Sequence, residues 1–172
     1  MIITISGQIG AGKSVIGKEL SKKLNYKYIS AGEIFKKLAK EKKMELTEFL
    51  KYAEKNLEID KEIDEKQKQI EQNCILDSRM GFYFANPELK IWLKAPLKVR
   101  VKRVAKRENF DLKDVEKKIR EREKEERERY KRLYSIDIYK LENYDLIIDT
   151  EKFNVEQIVK MVCCLIKNQP LS

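Results

Sequence analysis

Residues 6–15 read SGQIGAGKSV and follow directly on the apolar run IITI of residues 2–5. Gly7, Gly12, Lys13 and Ser14 satisfy the G-x-x-x-x-G-K-[ST] phosphate-loop pattern without a gap. Such a loop works because its glycines let backbone N–H groups converge on an anion while the following helix presents its positive N-terminal end. Gly7, Gly10 and Gly12 supply the permissive positions, Lys13 can reach the β- and γ-phosphates, and the Ser14 hydroxyl can ligate Mg²⁺. Gln8, Ile9, Ala11 and Val15 complete the stretch expected to wrap a nucleotide such as ATP. The bland alternative is an ordinary glycine turn, and it leaves the coincidence of strand, motif and periodic helix unexplained.

Outward from this loop, Ser14 to Leu24 carries Ile16, Leu20 and Leu24 at helical spacing. Further short apolar runs, residues 26–30, 74–77, 90–94 and 144–149, bring the strands to five. They alternate with helical stretches, among them residues 97–105 and 155–166, and predict an α/β fold with a parallel sheet covered by helices. Two stretches break the alternation. Residues 32–72 form a long helical insertion, with breaks expected near 44–47 and 56–58. In the other, residues 110–133, the run REREKEERER (Arg120 to Arg129) contains no apolar residue, so that helix must be solvated or meet a charged ligand.

The chain has 172 residues, enough for one domain with a real core. Charged residues make up 39 % and the net charge is +9, a surplus that favours polyanionic ligands without choosing between nucleic acid and phosphate groups. With no histidine, no His-based triad, His base or His metal ligand can exist. The three cysteines lack zinc-ligand spacing and read as reduced, buried thiols of a cytoplasmic protein. No apolar run reaches the length of a membrane span, and the N-terminus does not read as a signal peptide. Heavy Lys and Glu usage is a compositional hint of a hot-adapted source.

A carboxylate near Mg²⁺ belongs at the end of a neighbouring strand. Asp77, ending CILD, is the first candidate for holding the metal through water, and Asp149, ending LIID, is its rival with the same local pattern. Arg79 follows just past that strand end, where open α/β sheets bind ligands, and its planar fork suits a phosphate. Arg122, Glu126 and Arg129 share one helix face at i, i+4 and i+7 and could bring two arginines to transferring phosphates. The same spacing also fits a solvated helix laced with ion pairs, because Arg120 and Arg127 have it too. No Asn-Lys-x-Asp guanine motif is present, so among phosphate-loop proteins the pattern points to a kinase rather than a GTPase.

The segments ISGQIGAGKS, YKYISAGEIFKKLAKEKKMELTEFLKYAE, ILDSRMGF, KIWLKAPLKVRVKRVAKRE, IREREKEERERYKRLYSIDI and YDLIIDT, in that order, resemble the short archaeal-type cytidylate kinases of the nucleoside monophosphate kinase family. The resemblance spans nearly the whole chain. It implies a P-loop NTPase three-layer sandwich in one domain of residues 1–172, with an acceptor-binding insertion at about 31–72 and a lid at about 108–134. It implies transfer from ATP with Mg²⁺ to CMP or dCMP by a cytoplasmic monomer, with small-molecule nucleotides as partners and no membrane or stable nucleic-acid partner.

Carried over by position, the resemblance puts Ser30 and Gly32 at the start of the acceptor region and Arg79 on the acceptor phosphate. It puts Arg103 against adenine, Arg107 on phosphates, and Thr150 and Lys152 beside the adenine. Lys13, Arg122 and Arg129 become the catalytic cations, with Glu126 in the lid's substrate-facing side. Two departures stand out: Gln8 and Ile9 occupy positions where proline is common, and LDSRMGF replaces a glycine-bearing EGR version of the acceptor segment. Related kinases of AMP, UMP or dephospho-coenzyme A, and a nucleotide-switched nucleic-acid-binding protein, are the alternatives.

Overall fold

The computed structural model describes residues 1–45, 48–49, 52–53 and 56–168. Among these residues five strands form one parallel sheet: β1 (Ile2–Gly7), β2 (Lys27–Ser30), β3 (Cys74–Asp77), β4 (Leu89–Lys94) and β5 (Leu146–Asp149). Their spatial order is β2-β3-β1-β4-β5. Every residue of β1 is buried, as a central strand covered on both faces requires. Parallel neighbours need crossovers, and the helices α1 (Lys13–Leu24), α2 (Ala31–Glu41), α3 (Leu57–Lys68), α4 (Gly81–Phe84), α5 (Leu97–Glu108) and α6 (Leu112–Tyr134) lie along them, while α7 (Val155–Asn168) follows the last strand.

Strand alternation sorts side chains between the two faces. Ile3 and Ile5 of β1 and Ile91 and Leu93 of β4 pack against Ile16 and Leu20 of α1 and Ile158 and Val162 of α7. Burying each such side chain fully contributes about 2 kcal/mol. Trp92, between Ile91 and Leu93, turns to the opposite face and joins Met80, Phe82, Ile138 and Tyr144. On α5 and α6, Val101, Val104, Val115 and Ile119 form a separate cluster that pairs the two helices.

The insertion after β2 has its own cluster of Ile34, Leu38, Phe49, Ala53, Ile59 and Ile63. Its first helix starts with a capping box: Ser30 Oγ accepts from the Glu33 backbone N–H and the Glu33 carboxylate accepts from that of Ser30. This helix, α2, ends at Glu41, three residues before the first expected break, and Asn56, at the second, caps α3. Thr47, within the first break, and residues 46, 50–51 and 54–55 of this insertion lie outside the described residues. The second insertion is one continuous 23-residue helix, α6, capped by Asp111.

β5 starts two residues later than the periodicity predicts, because Tyr144 is drawn into the aromatic cluster, its ring centroid 4.9 Å from Trp92 and 5.0 Å from Phe82. Cys74 and Cys163 are buried free thiols as expected, whereas Cys164, one step round α7, is exposed. Among the described residues no helix is long and apolar enough to cross a membrane.

Candidate active site

The phosphate loop joins β1 to α1 at the carboxyl ends of the strands. Gly7 pairs with Leu93 of β4 at φ 144°, and a Cβ there would overlap the Leu93 carbonyl oxygen. Gly12 caps α1 in the left-handed region at φ 94°. Both positions therefore need glycine, one for close approach and one for backbone sign. The Gln8 backbone donates to Leu93 O at 3.1 Å and its side-chain Oε1 accepts from Ala95 N–H at 3.2 Å, so the loop is stitched to the end of β4. Ala11 is fully buried beneath the loop and Val15 is exposed on its outer side.

Lys13 Nζ folds back to donate to Gly7 O at 3.0 Å and Gln8 O at 3.1 Å. Arg79 Nη1 donates to the same Gly7 carbonyl at 2.9 Å. Burial, reinforced by the neighbouring Arg79 guanidinium, lowers the Lys13 amine from 10.5 to about 7, against the opposing pull of Asp77, Glu126 and Glu123. Lys13 and Arg79 thus both donate to one backbone carbonyl.

Asp77 ends β3 and pairs in register with Ile5 of β1 and Ser30 of β2. Its Oδ2 accepts from Ser14 Oγ at 2.7 Å and from the Tyr28 hydroxyl at 2.9 Å. Burial and the facing carboxylate push the Tyr28 phenol well above its ordinary value, so it stays a donor. Asp149 ends β5, two strands away from β1, and its carboxylate caps a turn by accepting from Glu151 N–H. The geometry therefore joins Asp77, and not Asp149, to Ser14.

This pair fits Mg²⁺. The Ser14 proton is committed to Asp77, which leaves hydroxyl lone pairs for a cation, and both groups offer hard oxygen donors. Among the described residues no three His, Cys, Asp or Glu side chains cluster as a metal cage. A cation here would complete its shell from water and phosphate oxygens, which is the habit of Mg²⁺.

One face of the polar helix α6 lies against the loop, while most of its charged run stays exposed. Glu123 Oε1 accepts from the Ile9 backbone N–H at 2.9 Å and from Arg100 Nη1 at 2.8 Å. Arg100 is only 4 % exposed and also donates to Ala95 O and Ile9 O, both at 3.0 Å. One helical turn on, Glu126 Oε2 pairs with Arg79 Nε at 2.5 Å. Arg122 is exposed, with its Nη2 3.5 Å from Glu126 Oε1, and Arg129 is half-buried on the same helix.

The remaining expected residues sit apart from this cluster. Arg103 clasps Thr150, donating to Oγ1 at 2.8 Å and to the carbonyl at 2.7 Å. Lys152 is exposed in the turn after β5. Arg107 is also exposed and pairs with Glu108 at 2.5 Å, away from the loop. Ser30 is half-buried at the start of α2, and Gly32 is exposed, where a Cβ would meet only Ser30 Oγ at 3.8 Å.

Sequence reading missed Arg100, Glu123 and Tyr28. For Glu123 a signal existed: stepping the Val115–Ile119 stripe forward by four reaches it, and three more reach Glu126. For Arg100, the signal was its position four residues before buried Val104.

A phosphate loop at the strand ends of a parallel sheet, with cations converging on it, defines a protein with the fold of the small P-loop kinases. The solved shikimate kinase of Acinetobacter baumannii in complex with shikimate shares that fold, with TM-score 0.67, 14 % identity, and coverage of 99 % of this chain and 95 % of that one. Residues 2–152 match the cytidylate kinase-like family, and the chain belongs to it. Its relatives include a cytidylate kinase of Methanocaldococcus jannaschii, 45 % identical with 98 % of each chain covered. Another, from Methanosphaera stadtmanae, is 43 % identical over 98 % of this chain and 99 % of its own.

Proposed function

We propose that this protein is a nucleoside monophosphate kinase that transfers the γ-phosphoryl group of ATP to CMP or dCMP, giving ADP and CDP or dCDP. The similarity to cytidylate kinases along nearly the full chain supports the acceptor. The observation that carries phosphoryl transfer is the meeting of Lys13 and Arg79 on the Gly7 carbonyl. It sets a cation for the donor phosphates beside one for the acceptor phosphate.

In this reading residues 1–172 form one kinase domain, with acceptor-binding insertion at about 31–72 and lid at about 108–134. Gly7 to Val15 wrap the triphosphate, Arg103, Thr150 and Lys152 border the adenine, and Arg107 reaches phosphates once the nucleotide is in place. Ser30, Gly32, Arg79 and Glu126 face the acceptor, and Arg122 and Arg129 close on the transferring group. Ser14, with Asp77 through water, holds Mg²⁺, which when bound neutralises phosphate charge. The protein works as a cytoplasmic monomer on small nucleotides, without a stable nucleic-acid partner.

No side chain needs to abstract a proton, because an acceptor phosphate is already anionic near neutral pH. Its oxygen attacks the γ-phosphorus in line as the bond to the β-phosphate oxygen breaks. Lys13 must leave the Gly7 and Gln8 carbonyls to meet the donor phosphates. Arg79 fixes the attacking phosphate, and the rate comes from alignment and charge neutralisation.

An ADP-release assay with ATP, Mg²⁺ and, in turn, CMP, dCMP, UMP, AMP, GMP and dephospho-coenzyme A tests the reading. CMP and dCMP are expected to turn over best. Preference for any other acceptor would overturn the assignment of the base while leaving phosphoryl transfer in place.

A further inference from the structure

Tyr28 takes no part in the proposed phosphoryl transfer, yet its hydroxyl ends on the same Asp77 oxygen as Ser14. The register explains how. Tyr28 lies opposite Ile75, so Asp77 is its diagonal neighbour on the same sheet face, a separation that a long aromatic side chain spans. Neither Ser14 nor Asp77 can settle this arrangement alone, because a short hydroxyl on the first turn of a helix follows wherever the carboxylate turns.

The ring is held from the other side by α1. Gly17, one turn after Ser14 on that helix, faces Tyr28, and a Cβ at Gly17 would come within 2.7 Å of Tyr28 Cε2. Lys18 Nζ lies 5.7 Å from the ring centroid. A glycine without positive φ in mid-helix costs about 1 kcal/mol against alanine. Here that cost coincides with the room the ring needs to reach Asp77.

We infer that Tyr28 is a positioning residue for the metal-binding pair: packed over Gly17, its hydroxyl fixes Asp77 Oδ2 and so holds Ser14 and Asp77 in the arrangement that receives Mg²⁺ with the nucleotide. The inference rests on the proposed reading of Ser14 and Asp77 as that pair. Tyr28 touches neither substrate nor metal; it acts through Asp77.

The test is calorimetric titration of ATP, without acceptor, at a series of Mg²⁺ concentrations for the wild type, Tyr28→Phe, Gly17→Ala and Asp77→Asn. Loss of an outer hydrogen bond to a ligand-holding carboxylate is expected to weaken Mg²⁺ for the ATP complex of Tyr28→Phe about 10-fold. Metal-free ATP affinity should stay at the wild-type value, a separation that a general packing defect would not produce. Gly17→Ala, which displaces the ring without touching its hydroxyl, should show the same Mg²⁺-specific loss. Equal weakening with and without Mg²⁺, or wild-type Mg²⁺ affinity in Tyr28→Phe, would overturn the inference. Wild-type Mg²⁺ affinity in Asp77→Asn would instead overturn the metal-binding pair itself, and the role of Tyr28 with it.

Discussion

Glu123, in the middle of a ten-residue run without an apolar side chain, accepts a hydrogen bond from the backbone N–H of Ile9 in the phosphate loop. A proline at position 9 would have no N–H to give. The departure from the common proline therefore has a structural use: it lets the charged helix dock directly on the loop. Through Glu126 and Arg79 the same helix also reaches the Gly7 carbonyl. The position of α6 and the arrangement of the loop are thus joined at two points one helical turn apart.

This docking predicts an asymmetric response to mutation. Arg100 is nearly fully buried, so Glu123→Ala strands its charge and should cost about 3 kcal/mol of stability, read by urea unfolding. The double variant Arg100→Met, Glu123→Leu should recover most of that loss, since apolar replacement of a buried pair is often neutral. Wild-type stability in Glu123→Ala would show that the helix is not held there.

Lys13 predicts a pH effect with a defined sign. Its amine titrates near 7 in the folded, nucleotide-free protein and near 10.5 when unfolded. Between those values the unfolded chain holds a proton that the folded one lacks, so this group's contribution raises stability as pH climbs from 7 to 10.5. Lys13→Met should flatten that rise. Phosphates arriving at the loop favour the charged amine, so ATP binding at pH 8 should take up protons, measured by calorimetry in buffers of different ionisation heat. Absence of uptake would mean that the amine is already charged. Turnover in Lys13→Met should fall at least about 100-fold with the fold intact.

Arg79 predicts a split between substrates. Its fork holds the Gly7 carbonyl with one nitrogen and Glu126 with another, a geometry that lysine cannot copy. Arg79→Lys should lower kcat/KM for the acceptor about 10- to 100-fold, the worth of a charged hydrogen bond, while ATP affinity stays near wild type. Loss confined to ATP would move Arg79 to the donor side.

The loop and sheet were legible because their signals are local. Gly7 and Gly12 announce backbone demands that few other residues meet, and the apolar runs announce buried strands. What escaped was set by register and docking. Tyr28 reads as one aromatic in a weak strand, and only its diagonal relation to Asp77 gives its hydroxyl a task. Arg100 and Glu123 read as surface charge in a charge-rich chain, although each continues an apolar stripe. Arg107, placed by resemblance, lies on the solvent side of α5 because the helix turns Val101, Val104 and Ala105 inward.

The far end of α6 supplies the last prediction. Arg127 donates to both carboxylate oxygens of Asp137, and Lys131 lies 3.1 Å from the same group. The Arg127 hydrogen bonds come first among the causes that hold Asp137 well below the usual carboxylate range. Asp137 precedes Ile138, which is buried in the aromatic cluster under Trp92, so this contact pins the helix end to the sheet. Because the folded value is depressed from 3.8, the stabilisation is complete above about pH 4 and fades as acid protonates the group in the folded state. Asp137→Asn should therefore lower the Tm at pH 7, and its difference from the wild type should shrink in melts taken stepwise below pH 4. A difference that stays constant into acid would mean that packing around the side chain, rather than its charge, holds the helix end in place.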